Sequence, residues 1–521
     1  MSVLSFSDIL AQRQKSARLA GTIAPVTTSE MFKSPRCFQK PPAKSFEHRL
    51  NVESKSRGAA TLKAAGAELN ADVISLGTGR PSPEYFPFLK MSLEFPVGTA
   101  GYTTENTESY SVGKYDIQSK KSTFDLAVSL NYGYSAGSEQ LIRFLTEHVD
   151  VVHNPPYLDW QCSLTAGTTS AIDCAFRTFC DRGDFVITEE YTYSATLEAA
   201  RPLGIRTVGV PMDDQGLSAS HLDALLSQWN PSERGARKPF LLYTIPTGQN
   251  PTGVTQSIQR RREIYAVAER HDLFIIEDDP YYFLRLGPKA PVPATNGHQS
   301  KSDAADEVEL FLRDLIPSFL SLDVSGRVLR LDSTSKILAP GLRCSWMTGS
   351  AEVISRFLYL HDATIVCPSG LSQLAVHTLL DEVWGHEGLI RWLVHLQNEY
   401  TQRLNVMLQS CEEHLPGDIC SWRTPEAGMF HWIKIDWRAH PLASSSTRSE
   451  LERVIDIEDR LYSKGLKMGV MCCKGSAFHA DEAGECDMFF RVTFASASLS
   501  QIAEAIARFG KAIREEFAKA T

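Results

Sequence analysis

The stretch Val328-Leu-Arg-Leu-Asp-Ser-Thr-Ser-Lys-Ile-Leu-Ala-Pro-Gly-Leu-Arg343 decides how the chain is read. In it an apolar run passes into small hydroxylic residues, a lysine and, seven positions on, an arginine. A lysine lying against apolar surroundings and a fixed cation loses its proton more easily, and its neutral amine attacks carbonyl carbons to form a Schiff base. Ser333-Thr-Ser-Lys336 equally satisfies the short S-x-x-K pattern of serine acyl-transferring enzymes, in which the serine is the nucleophile. The tetrapeptide leaves both chemistries open.

Upstream of this stretch, short β-rich runs alternate with helical patterns from about Asn131 to Cys367: Cys162–Thr165, Asp184–Thr188, Arg206–Val210, Phe240–Thr244, Leu273–Ile276 and Val328–Leu331. Such alternation predicts an α/β domain with a largely parallel sheet. Ligands in such sheets sit beyond the carboxyl ends of the strands, so the residues after each run are the ones to inspect. Residues 91–130, rich in Ser, Thr, Tyr and Gly, and residues 286–325, which pass through polar and acidic sequence, read as surface excursions. From Leu371 to Leu415 the pattern is helical and amphipathic, and the tail after Trp432 mixes strands with helices before closing on an alanine-rich helix near 499–517. The expected organisation is therefore an N-terminal arm over 1–78, partly disordered and partly joining a small domain; a large α/β domain over 79–368; and a smaller α+β domain over 369–521.

Composition bounds the partners. The 521 residues are 43% hydrophobic and 22% charged, which is ordinary for a globular chain with a large core. A formal charge of −9, with no long basic run, argues against nucleic-acid binding. No apolar stretch approaches the roughly 18 residues that span a bilayer, and no secretory segment opens the chain, so a location away from membranes, in the cytoplasm, is expected. The arm through Lys44 carries Arg13, Lys15, Arg18, Lys33, Arg36, Lys40 and Lys44 against Asp8 and Glu30, which leaves a mitochondrial presequence open. Eleven cysteines without C-x-x-C spacing fit a reducing compartment better than a disulfide framework.

Three further motifs follow strands. Thr165-Ala-Gly-Thr-Thr169 opens a helix expected from Ser170 to Phe179, where backbone N–H groups and small residues leave room for a phosphate; taken alone, an ordinary N-cap is the commoner reading. Tyr243-Thr-Ile-Pro-Thr-Gly-Gln-Asn-Pro-Thr-Gly253 fixes a tight loop around Asn250, whose amide is placed to donate to a ligand oxygen. Ile276-Glu-Asp-Asp-Pro-Tyr-Tyr282 ends a strand in carboxylates. A metal would need further ligands, and no His or Cys lies at useful spacing. An aspartate buried at a strand end instead suits a protonated pyridine nitrogen, because its charge keeps the ring cationic and electron-accepting. Phosphate cradle, Asn, Asp, Tyr, Lys and Arg together describe a site for pyridoxal 5′-phosphate. The acyl-transferase alternative lacks its K-T-G element, since Lys474-Gly475-Ser476 does not match it.

P-T-G-Q-N-P-T-G, I-E-D-D-P-Y-Y-F-L, D-S-T-S-K-I-L-A-P-G-L-R and F-R-V-T-F stand in the order found in fold-type I, class I aminotransferases. From about Asp72 to the C-terminus the chain resembles fungal aromatic amino acid aminotransferases and kynurenine/α-aminoadipate aminotransferase. The resemblance implies a mostly parallel-sheet, cofactor-binding large domain and a homodimer acting on an L-amino acid, aromatic or aminoadipate-like, and a 2-oxo acid. It implies that Lys336 holds the cofactor covalently and moves the proton from substrate Cα. Asp278 would pair with the ring nitrogen, Asn250 and Tyr281 would bond the ring hydroxyl, and Tyr193, rather than Tyr191, would stack on the ring. Gly167, Thr168, Thr169, Ser333, Ser335 and Arg343 would surround the phosphate, joined by Tyr132 of the second subunit. Arg491 would clamp the substrate carboxylate, for which a guanidinium fork suits better than an ammonium. Gly79 would line the substrate pocket.

The chain departs from the family pattern at three places. Gly77-Thr-Gly-Arg-Pro81 replaces G-G-G-L-P and puts Arg80 at the expected substrate entrance. Ser56-Arg57 runs on without the usual Pro-Ser-Pro, and Lys474 stands where proline is usual. Arg80, if it faces the pocket rather than solvent, would favour an acidic substrate side chain. Decarboxylases and C–C bond-forming or bond-cleaving enzymes of secondary metabolism share this fold and remain the alternative. A catalytically silent regulator would be expected to lose Lys336 or Asp278, and both are present.

Overall fold

The computed structural model describes residues 4–16, 19–61, 76–97, 102, 106–287, 301–444, 448–480 and 487–518, with 301–306 through the backbone alone. The chain divides into two compact units. One comprises Met1–Asp184, Ala268–Pro280 and His298–Leu393; the other comprises Phe185–Val267, Tyr281–Gly297 and Val394–Thr521. The strands that matter, in chain order, are β1 (Lys90–Pro96), β2 (Thr107–Gly113), β3 (Trp160–Thr165), β4 (Phe185–Glu189), β5 (Arg206–Val210), β6 (Leu241–Thr244) and β7 (Phe274–Asp278). They continue with β8 (Val328–Ser333), β9 (Ser345–Ser350), β10 (Cys420–Trp422), β11 (Phe430–Ile435), β12 (Cys473–Lys474) and β13 (Met488–Thr493).

In the first unit the order is β3-β9-β8-β7, with β8 parallel to β7 and β9 antiparallel to both neighbours. Every residue of β3, β7, β8 and β9 is buried, which explains their continuous rather than alternating apolar character. Strand β9, Ser-Trp-Met-Thr-Gly-Ser, was not among the runs expected from sequence. It has no β-branched cluster, and its small residues are selected by close packing: a Cβ on Gly349 would lie 3.2 Å from Leu329 Cδ1.

Residues 91–97, 102 and 106–130, the described part of the expected surface excursion, are built into the unit; 98–101 and 103–105 lie outside the described residues. β1 and β2 form an antiparallel hairpin whose Met91 and Tyr110 pack on Val112, Phe124, Leu126 and Leu374. Of segment 286–325, residues 288–300 lie outside the described residues; the rest contains the helices Lys301–Arg313 and Phe319–Leu322, the second fully buried at Phe319 and Leu320. The N-terminal arm is joined to this unit by polar contacts. The Arg13 guanidinium pairs with Glu147 and, at 2.6 Å, with Asp381, and Cys162 N–H donates to Ser29 Oγ at 2.8 Å. Asp381 belongs to a π-helical turn, Thr378–Trp384, inside the helical region anticipated from Leu371 to Leu415.

In the second unit β4 pairs in parallel with both β5 and β6. A separate antiparallel sheet runs β10-β11-β13-β12. It packs with the capped helix Glu450–Lys467 and the terminal helix Leu499–Phe517, the latter with the bounds expected from sequence. The fold is α/β, with parallel pairings of β7 with β8 and of β4 with β5 and β6 beside antiparallel ones.

Each unit buries ionisable groups at a strand end. In the first, the fully buried Arg330 of β8 lies 3.1 Å from Glu277, 3.2 Å from Asp279 and 2.8 Å from Asp332. Glu277 also accepts from the Phe319 and Leu320 amides at 2.8 and 3.1 Å. Burial holds the Asp332 carboxyl above its usual range although Arg330 pulls it down. In the second unit, burial pushes the Glu189 carboxyl at the end of β4 up to about 7, against the lowering effect of the bonds it accepts.

Removing one partner from a buried charge cluster strands the others, so Arg330→Leu is expected to cost about 3–5 kcal/mol. Urea unfolding of the cofactor-free protein measures the loss; an unchanged midpoint would contradict the assigned role of the cluster. For Glu189 the folded state holds its proton more tightly than the unfolded chain. Stability from this group is therefore full below its unfolded value of 4.5, declines as pH rises, and levels off above about 7. Comparing unfolding midpoints across that window, Glu189→Gln should show a shallower decline than the unsubstituted protein; parallel profiles would refute the shift.

Candidate active site

In the first unit the strand ends carry the residues anticipated from sequence. Asp278 is the buried last residue of β7, and because successive strand residues face opposite sides, it leaves the strand on the face away from Glu277 and Arg330. Lys336, half-buried, sits on the turn that leaves β8 three residues past Ser333. The turn is held by its own hydroxyls. Ser335 N–H donates to Ser333 Oγ at 3.0 Å, Ser333 Oγ is 2.9 Å from Ser345 Oγ, and Thr334 Oγ1 donates to Cys344 O at 2.6 Å. These bonds fix the backbone that presents the lysine.

Helix Thr168–Phe179 starts two residues before the expected Ser170, at the N-cap Gly167. Gly167 has φ +96, and a Cβ there would overlap the Arg343 guanidinium, so only glycine lets the arginine close on this helix start. Arg343, itself left-handed at φ +47, donates to Pro340 O at 2.9 Å and is exposed. Thr168 is half-buried and Thr169 exposed. The arrangement joins a cation, helix-start amides and hydroxyls, the donor set an anion requires.

Tyr132 is 55% exposed. Gly79 and Arg80 are exposed as well; the segment is tied to the Tyr132 loop by Asn131 Nδ2, which donates to Pro81 O at 3.3 Å. Among the described residues Arg80 has no ion-pair partner.

The second unit brings Asn250 and Arg491 together. Arg491 on β13 donates from Nη1 to Asn250 Oδ1 at 2.7 Å and from Nη2 to Cys473 Sγ at 3.3 Å. Its guanidinium lies over the rings of Phe430 and Phe478, 4.4 and 4.6 Å from their centroids. Arginine has only donors, so Asn250 must turn its oxygen toward it, which leaves the Asn250 NH2 to donate elsewhere. Tyr281 is buried, its ring edge-on to Phe430. Tyr193, half-buried, is the N-cap of helix Ser194–Ala200. Tyr191 is buried, with its ring in T-shaped contact with Trp432, His479 and Phe489 at 5.5, 5.1 and 5.3 Å.

Sequence reasoning missed the residues that hold these in place. Gln249 Nε2 donates to Tyr191 O at 2.6 Å, and Gly248 at φ +53 leaves no room for a Cβ against the Ala427–Gly428 backbone. Cys473, Glu189 and Arg330 were also passed over. For the last two a signal was present, since a carboxylate closing Phe-Val-Ile-Thr-Glu189 and an arginine inside Val-Leu-Arg-Leu331 are each a charge in an apolar run.

The family model for class I and II aminotransferases matches residues 127–509. An aminotransferase of Arthroderma benhamiae, swnA, is 42% identical over 93% of this chain and 94% of its own length. An aromatic amino acid aminotransferase of Schizosaccharomyces pombe is 37% identical over 91% and 98%. The crystal structure of the aminotransferase Aro8 from Candida albicans superposes with a TM-score of 0.82 at 37% identity, covering 92% of this chain and all of that one. The chain belongs to the class I and II aminotransferases, enzymes that use pyridoxal 5′-phosphate to move an amino group from an amino acid to a 2-oxo acid.

Proposed function

We propose that this enzyme takes its amino group from an aromatic L-amino acid, with 2-oxoglutarate as acceptor, and that it works as a homodimer in the cytoplasm. The observation that carries the reading is Arg491. A guanidinium within 4.4 and 4.6 Å of two phenyl-ring centroids, with one nitrogen bonded to Asn250, is pre-organised for a carboxylate, and its apolar surroundings suit a hydrophobic side chain. The aromatic-substrate relatives in the same family support the donor class.

The residues present fit the cofactor. The Gly167 cradle against Arg343, with Thr168, Thr169, Ser333 and Ser335, supplies cation and donors for its phosphate. When bound, the cofactor supplies an electron-accepting ring. Asp278 holds a negative charge for the ring nitrogen, and burial makes that charge costly unless a cation answers it. Asn250, its amide orientation set by Arg491, donates to the ring hydroxyl, as does Tyr281. Tyr193 covers a ring face. Lys336 Nζ takes the proton from substrate Cα, work that needs the neutral amine. Tyr132 completes the phosphate site of the second subunit. Its exposure, with that of Leu76 at 95%, Tyr85 at 78% and Leu89 at 73%, supports a surface covered by that subunit. Gly79 and Arg80 line the substrate entrance.

Incubation with phenylalanine and 2-oxoglutarate should yield phenylpyruvate and glutamate without carbon dioxide, and Lys336→Ala should lower kcat by about 10²–10⁴. Carbon dioxide released without glutamate would instead identify a decarboxylase on the same fold. Arg80→Leu should lower kcat/KM on dicarboxylic donors by about fivefold at most, the scale of one exposed charge contact, while leaving aromatic donors within about twofold. Equal losses on both donor classes would remove Arg80 from the entrance.

A further inference from the structure

Glu189 is a fully buried carboxyl that the proposed chemistry does not use. It closes β4, four residues before Tyr193. One oxygen, Oε1, accepts from Thr244 Oγ1 at 2.6 Å and from the Ile245 amide at 2.9 Å; the other, Oε2, lies 3.4 Å from Thr192 Oγ1. Thr244 ends β6, and the chain reaches Asn250 six residues later.

The described ladder between β4 and β6 consists of Val186↔Leu241 and Ile187↔Leu242. Past it the two strand ends are joined by side chains. Glu189 bridges to Thr244 and Ile245, Gln249 Nε2 reaches back to Tyr191 O at 2.6 Å, and Gln256 Nε2 donates to Thr244 Oγ1 at 3.1 Å. All are buried, where each bond resists displacement because breaking it leaves an unsatisfied polar group.

We propose that Glu189 is a positioning residue: it locks the strand end that leads to Tyr193 onto the loop that carries Asn250, and so sets the distance between ring stacking and ring-hydroxyl recognition. Glu189 does not touch the substrate. The inference rests on the cofactor roles of Tyr193 and Asn250 proposed above. A glutamine in its place keeps an oxygen for Thr244 and Ile245 and turns its NH2 toward Thr192 Oγ1, so the bridge survives. An alanine leaves the Thr244 hydroxyl and the Ile245 amide without their acceptor.

The test compares Glu189→Ala, Glu189→Gln and Thr244→Val, each freed of cofactor and titrated with pyridoxal 5′-phosphate while the absorbance of the bound ring is followed. Losing two buried bonds should weaken cofactor binding about tenfold or more in Glu189→Ala and shift its absorbance maximum, with kcat falling more than KM changes. Glu189→Gln should return binding to within about twofold, and Thr244→Val should lie between them. If Glu189→Ala does not fold, Thr244→Val and Glu189→Gln carry the comparison alone. A lower unfolding temperature with unchanged cofactor affinity and spectrum would mean that Glu189 only supports the fold, and would overturn the proposal. Asn250→Ala and Tyr193→Ala separate the two levels. If they leave cofactor binding unchanged, the roles beneath the inference fail; if they weaken it while the Glu189 and Thr244 variants stay silent, only the positioning role fails.

Discussion

The buried guanidinium of Arg330 is the constraint on which the first unit depends. It meets three carboxylates, from Glu277, Asp279 and Asp332, with no exposure of its own. Such a cluster is poor as a source of stability, because desolvating four charged groups offsets most of their attraction. Its effect is geometric. Arg330 and Glu277 face each other in the parallel register of β8 and β7, and the next pair in that register is Leu331 and Asp278. A slip of one residue would put Asp278 among the carboxylates and Glu277 on the other face. The cluster makes that slip untenable, so it fixes which carboxylate emerges on the far face and where the turn bearing Lys336 begins.

The second unit achieves the same end with fewer charges. Arg491 is held by an amide, a thiol and two phenyl rings rather than by carboxylates. That choice suits the task proposed for it. A guanidinium already neutralised by a protein carboxylate would have little left for a substrate anion, whereas aromatic faces and an amide oxygen orient it while leaving its charge uncompensated. Glu189 follows the same logic, since burial keeps much of it neutral near pH 7 and it orders two strand ends without adding a full negative charge.

The residues proposed for the chemistry stand out in the sequence, and those that hold them in place do not. Lys336, Asp278, Asn250 and Arg343 each follow an apolar run in a motif whose residue types and order little besides cofactor chemistry would demand, and the runs themselves appear as β8, β7, β6 and the turn after β8. Strand β9 was hidden because its Ser, Thr and Gly residues are chosen for fit between β3 and β8, a tertiary demand that leaves no periodic trace. The β1–β2 hairpin was hidden for a different reason: half of it stays exposed, so its polar composition resembles loop. Arg330 and Glu189 left a trace, a charge inside an apolar run, but their partners lie on other strands and no local pattern names them.

This division also explains why reaction and substrate separate so cleanly. Asp278, Asn250 and Tyr281, among the groups assigned to the cofactor, are buried at or just past strand ends, where a lost bond has no water to replace it. Arg80, by contrast, is exposed, on a segment that Asn131 Nδ2 ties to its unit by donating to Pro81 O at 3.3 Å. An exposed residue can be exchanged at a cost near zero to the fold. A substrate preference placed there can change without disturbing any buried group, so the strand ends can fix a reaction without fixing the amino acid that enters it.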